Sequence, residues 1–171
     1  MFAYIAGSPF VFTELHGMTP GAFAVLFGLN AFAFIGASQI NRALLTRIDT
    51  VRLVRLASAV QVAAGLVLLV CATTGAFGIA GLAVPLFVTI GSLGFIAPNA
   101  TALAMQPHPE IAGAASALAG TLQFGFGALN GALIGALPSG TSIPLALACA
   151  GASLFGAACL FSGGPMPRAA R

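Results

Sequence analysis

The sequence predicts an all-α, polytopic transmembrane helix bundle with about five complete spans plus the end of a sixth. Three observations point there. Hydrophobic residues make up 59% of the chain and charged residues 5%, with a mean hydropathy of +1.06. A soluble domain needs roughly a quarter of its residues charged to cover its surface, so lipid is the solvent that fits. The apolar residues gather in runs of about 20, the length that crosses ~30 Å of hydrocarbon as a helix. Finally, all six arginines fall on one side of the bilayer once the runs alternate in direction.

The first apolar run, Met1–Thr13, is too short to span alone, covering roughly 20 Å at ~1.5 Å per residue. A signal peptide would need a basic segment before it, and none is present. The run reads as a helix whose first half is missing, which makes Met1 an internal methionine. The complete spans are expected at 20–41, 54–73, 78–104, 111–136 and 143–162. Charge or helix breakers separate them: Asn41–Arg55, Thr73–Gly78, Gln106–Glu110, and Leu137–Ile143 with Pro138-Ser-Gly. Residues 1–162 therefore read as one six-helix unit. Residues 163–171, rich in Gly, Pro and Arg, read as a flexible cytoplasmic tail.

Orientation follows from arginine. Arg42, Arg47, Arg52 and Arg55 lie in the first long loop, and Arg168 and Arg171 lie in the tail. The loops on the opposite side carry no Lys or Arg, and the positive-inside rule makes the arginine side cytoplasmic. Glu14 and His16 then face outward, and His108 and Glu110 inward. Membership of the cell inner membrane, with a cytoplasmic C-terminus, is the resulting expectation. The arginines sit at helix ends without a polar surround, so the +3 net charge predicts no nucleic-acid partner.

In lipid, small and polar residues mark the faces where helices meet. The 111–136 helix shows this best. Gly113, Ser116, Gly120, Gln123, Gly127 and Asn130 recur at steps of three and four, within an arc of about 100°. Gly127, Gly131 and Gly135 add two overlapping GxxxG steps. These glycines read as helix-packing positions. Gln123 and Asn130 either line a wet cavity or make interhelical hydrogen bonds. On the 20–41 helix Asn30 and Asn41 share a face. Asn30 is the deeper candidate for cavity lining, and Asn41 reads as a cap or anchor. On the 78–104 helix Thr89, Ser92 and Asn99 share a face. Pro85 and Pro98 free carbonyls there and permit a bend, as a hinge or as a tolerated kink. The 54–73 and 143–162 helices carry less polar content, with Gln61 near one end and Ser153, and suit peripheral, lipid-facing positions.

Catalysis has no visible basis in the sequence. It holds no phosphate-binding loop, no metal-ligand cluster and no Ser-His-Asp set, and no cofactor is implied. Cys71, Cys149 and Cys159 lie in apolar runs and read as buried, inert thiols. No acid lies at membrane depth in a complete span, and Glu14 is the nearest. Proton-coupled transport usually uses an embedded carboxylate or His.

Several short motifs occur in a fixed order: Gly7-Ser-Pro-Phe-Val-Phe12, Phe27-Gly-Leu-Asn-Ala31, Ser38-Gln-Ile-Asn-Arg42, Ala97-Pro-Asn-Ala-Thr-Ala-Leu-Ala104, and Ala112-Gly-Ala-Ala-Ser-Ala-Leu-Ala-Gly-Thr-Leu-Gln123. Each is weak alone. Together, over about Met1 to Ser162, they resemble the second half of the Bcr/CflA drug-resistance transporters, drug:proton antiporters of the major facilitator superfamily. The resemblance implies a fold of twelve helices in two halves, with the short first run as the end of helix seven. It implies export of small amphipathic drugs, such as bicyclomycin, chloramphenicol-like compounds and sulfonamides, against inward proton flow. Central cavities in this superfamily are lined largely by helices seven, eight, ten and eleven. Tyr4, Phe10, Asn30, Asn99 and Gln123 fall on the matching segments and become substrate-pathway candidates. For Tyr4 and Phe10 ordinary aromatic packing is the competing reading. The departure is large, because helices one to six and their acidic coupling positions are absent. The implied partners are a lipid bilayer, drug substrates, and the missing N-terminal six-helix half or a second copy. The alternative is a stand-alone membrane subunit that packs or dimerises through its Gly-rich helix without transporting.

Overall fold

The computed structural model describes residues 1–106, 109–136 and 140–162. His108, Pro138 and the 163–171 tail, with Arg168 and Arg171, lie outside the described residues. The chain begins with α1 (Phe2–Pro9), which runs directly into a π-helical segment (Phe10–Leu15). Pro9 supplies no N–H to the ladder. Thr13 Oγ1 donates to the Pro9 carbonyl at 2.7 Å, and the Met18 N–H reaches back to the Phe12 carbonyl at 2.9 Å. The first apolar run is therefore two short helical pieces of different pitch.

Five long helices follow: α2 (Pro20–Leu44), α3 (Thr50–Thr74), α4 (Gly78–Met105), α5 (Ala112–Ala136) and α6 (Ile143–Ser162), with a 3₁₀ turn at Pro109–Ile111 before α5. Their ends have local causes. Thr19 caps α2 by accepting from Ala22 N at 3.3 Å, and Pro20 occupies its first turn. Asp49 caps α3, its Oδ2 accepting from Val51 N at 3.1 Å and Arg52 N at 3.3 Å. Gly75, at φ +69°, closes α3 in the left-handed region that glycine adopts without strain. The α3 start is four residues earlier than the hydropathy run indicates, because the cap and the charged first turn extend the helix beyond the apolar segment.

Among the described residues, α2, α3, α4 and α6 are long and apolar enough to cross a membrane. α5 has the length, at 25 residues, and includes six glycines together with Gln123 and Asn130. The chain is a multi-pass, all-α membrane bundle.

α3 packs on α4 and α6, α2 on α4, and α1 on α5 and α6. The core joins Ala3, Tyr4, Val11 and Phe12 of the first segment to Leu68 of α3, Leu82, Leu86 and Ile90 of α4, and Leu145, Ala146 and Cys149 of α6. The broken first helix is thus a hub of the bundle. The expectation that the 54–73 and 143–162 helices are peripheral is corrected. Leu53, Val54 and Leu68 of α3 and Leu145 and Ala146 of α6 are buried, while α2 has 11% of its apolar window buried, the lowest among the four spans. α3 and α6 pack on each other through small residues. A Cβ on Gly65 would meet Ser153 Oγ at 2.9 Å and Ala150 Cα at 3.2 Å. Cys71 and Cys149 are buried, but Cys159 is exposed on the bundle surface, against the expectation of burial. Residue polarity alone does not separate lipid-facing from protein-facing positions when both surroundings are apolar.

The guanidinium of Arg55, in the second turn of α3, lies 5.9 Å from the Phe161 ring centre near the end of α6. The arginine-bearing α2–α3 turn and the C-terminal end of α6 therefore occupy the same end of the bundle, as alternating spans require.

Candidate functional site

Neutral polar side chains inside the bundle are the groups available for function. Two sets of them stand out. The first lies between α1 and α2. Tyr4 and Ser8 are one helical turn apart on α1, and Asn30 is on α2; all three are at least 97% buried, at 3%, 0% and 1% exposure. The Tyr4 ring stacks on Phe27 at 5.5 Å and 16°, and Phe27, Phe23 and Phe12 continue as an aromatic ladder. Ser8 and Asn30 lie near enough to act on the Tyr4 hydroxyl. Yet Tyr4 Oη, Ser8 Oγ and Asn30 Oδ1 have no partner in good hydrogen-bond geometry. Asn30 Nδ2 donates to Leu26 O of its own helix at 2.9 Å. Buried polar atoms without partners are costly, and in hydrocarbon water does not reach them. This seam is uncharged, and it both donates and accepts.

The second set holds α2 against α4. Asn99 Nδ2 donates to Asn41 Oδ1 at 2.7 Å and to Phe95 O at 2.8 Å, and Asn41 Nδ2 donates back to Asn99 Oδ1 at 3.4 Å. Asn41 is therefore an interhelical partner and not a cap. Both N–H groups of Asn99 are engaged within the protein, which leaves it no free donor for a ligand. One turn away, Ser38 Oγ lies 2.9 Å from Phe34 O and 3.2 Å from Gly94 O. Pro98 has no N–H for the Gly94 carbonyl, so Ser38 supplies a donor from the neighbouring helix. Gly94 makes that approach possible, since a Cβ there would collide with the Phe34 carbonyl and lie 2.8 Å from Ala37 Cβ. Gln61 Nε2 reaches the Thr89 carbonyl at 3.5 Å and ties α3 to α4.

The remaining candidates are dispersed. Phe10 is half-buried at the start of the π segment, and Gln123 is exposed on α5. Asn130 donates to Phe126 O of its own helix at 2.8 Å. It lines a cleft of about 380 Å³ between α5 and α6 with Phe126, Leu147, Gly151 and Phe155. The structure thus brings Tyr4 and Asn30 together, adds Ser8 to them, and leaves Phe10, Asn99 and Gln123 apart. Ser8 stands one turn from Tyr4 in the sequence, which is the signal that finds it. Among the helix-packing glycines, Gly127 receives the Phe2 ring at 2.6 Å from its ideal Cβ position, and Gly131 faces Ala6 at 3.8 Å. Gly113 and Gly120 face open space among the described residues. The surroundings of Gly135 lie outside the described residues. Close crossings at Gly7, Gly65 and Gly94 carry no GxxxG signature. Glu14 is exposed at the end of the π segment.

An all-helical bundle with membrane-spanning helices and an uncharged polar seam defines a polytopic membrane protein. Comparison with known proteins points to transporters. The chain is 33% identical over 145 residues to an uncharacterized MFS-type transporter, YdgK, of Bacillus subtilis, covering 84% of this chain and 35% of that protein. It is 28% identical over 145 residues to a bicyclomycin resistance protein homolog of Haemophilus influenzae, covering 85% of this chain and 36% of that protein. No family model matches the chain, and no solved structure matches it. These matches bear out the resemblance to the Bcr/CflA drug-resistance transporters of the major facilitator superfamily. It spans about a third of the length of the curated relatives it matches.

Proposed function

We propose that this chain forms the C-terminal six-helix half of a multidrug efflux transporter of the inner membrane. In the whole transporter it would export small amphipathic drugs, of the bicyclomycin or chloramphenicol kind, by proton antiport. The observation that carries this reading is the match to an MFS-type transporter over 84% of the chain. The bundle supports it in two ways. α1, α2, α4 and α5 stand for helices seven, eight, ten and eleven, and α2 and α5 expose many large apolar side chains among the described residues. The α1–α2 seam supplies uncharged hydrogen-bonding groups suited to a neutral, polar-decorated drug, which Tyr4, Ser8 and Asn30 would meet if those helices part.

Transport would require rocking of two halves about a midplane site. The spans here carry no acid, so proton coupling is assigned to the other half. The arginine turn and the C-terminal end face the cytoplasm in this reading. The test is drug accumulation in cells that carry this chain with and without an N-terminal half from the family. Lowered accumulation only when both are present supports the proposal. Resistance from the 171-residue chain alone would overturn the division of labour.

A further inference from the structure

We propose that the α2–α3 turn is a binding site for the phosphate headgroup of an anionic phospholipid. Arg42, Arg47, Arg52 and Arg55 are all exposed. Asp49 is the one carboxylate between Asn41 and Arg55. Its Oδ2 is already engaged as the α3 cap, accepting from Val51 N and Arg52 N. The first turn of α3 contains no acidic residue, although a helix N-terminus carries partial positive charge that acids normally offset. Arg52 in that turn adds charge of the same sign. The segment therefore concentrates positive potential that Asp49 alone does not balance.

The turn also has a defined shape. Arg47 N and Ile48 N both donate to the Leu44 carbonyl, at 2.9 and 2.8 Å. Arg55 is held over the Phe161 ring at 5.9 Å. The turn joins the ends of two membrane spans, which sets its guanidinium groups at headgroup level, where basic clusters attract anionic lipid. Every basic side chain other than His in the sequence is arginine. Guanidinium presents a planar fork that matches two phosphate oxygens, where ammonium offers a point charge. Position at the bilayer surface favours a lipid phosphate over a free one. The inference needs only the membrane bundle and does not depend on drug transport.

The experiment uses the purified 171-residue chain in detergent, with retained phosphatidylglycerol and phosphatidylcholine counted by native mass spectrometry. The wild-type chain is expected to retain phosphatidylglycerol preferentially. Each arginine near the surface contributes roughly fivefold in affinity, so the combined Arg42→Gln, Arg47→Gln, Arg52→Gln and Arg55→Gln variant is expected to lose at least tenfold. The matching Arg→Lys variant keeps the charge and membrane orientation, and is expected to retain the lipid at severalfold lower affinity. Thermal unfolding of each variant checks that the bundle remains folded. Equal retention of phosphatidylglycerol by the wild-type chain and a folded Gln variant would overturn the proposal. So would complete displacement of the lipid by millimolar inorganic phosphate, which would make the site a free-anion site.

Discussion

α4 and α5 carry similar small and polar residues, and the bundle uses them in opposite ways. On α4, Gly94 admits α2 to backbone contact, Asn99 pairs with Asn41, and the carbonyl released by Pro98 is met by Ser38. On α5, Gly113 and Gly120 face open space and Gln123 is exposed, with Leu118, Leu122 and Phe124 exposed beside them. The second half of α5, from Phe124 to Ile134, meets α1. In a membrane, close approach and hydrogen bonds hold helices together, because lipid is as apolar as leucine. The α2–α4 seam is thus joined by direct contacts, whereas among the described residues Gly113 and Gly120 on the first half of the α5 face meet open space, and Ser116 makes a single contact, donating to Met105 Sδ of α4 at 3.3 Å.

That contrast is open to mutation. The largest effect is expected at Gly94→Val, which forces a branched side chain against the Phe34 carbonyl and Ala37. Overpacking of this kind costs about 3 kcal/mol, read as lost thermal stability of the purified chain in detergent. Next comes Asn99→Leu, which leaves the Asn41 amide buried without its partner, at about 2 kcal/mol. The double variant Asn41→Leu with Asn99→Leu is expected to recover about 1 kcal/mol of the summed single losses, as a double-mutant cycle would measure. The smallest effect is expected at Gly113→Ala and Gly120→Ala. With open space at both positions, their cost to the isolated chain should stay within ~0.5 kcal/mol. A loss of stability there comparable to Gly94→Val would erase the difference between the two helices.

Much of this was legible in the sequence. Spans at 20–41, 78–104, 111–136 and 143–162 follow from runs of apolar residues bounded by Pro, Gly and charge, and the helices lie within a few residues of them. The Asp49-Thr-Val-Arg cap marks the true start of α3, but hydropathy averaging hides it. The π segment after Pro9 was not legible, since proline announces a broken ladder without saying how the chain repairs it. Among candidate positions, Tyr4 and Asn30 do come together, through the stacking of Tyr4 on Phe27 one turn before Asn30, although neither oxygen finds a partner. The Asn41–Asn99 pair was not legible, as the two stand 58 positions apart and each reads plausibly alone as cap or cavity residue. Gly65 and Gly94 escaped for the same reason. A close crossing is a property of two helices, and neither sequence names the other.

The central claim is that this bundle is one half of a transporter whose other half covers the open face of α5. Its most direct test is co-purification of a family N-terminal half with the affinity-tagged chain from detergent extracts, comparing wild type with Gly120→Trp. The account predicts that wild type retains the half, while Gly120→Trp releases it with no change in its own thermal unfolding. Equal retention by both, or self-association of the chain with no retention of the half, would contradict it.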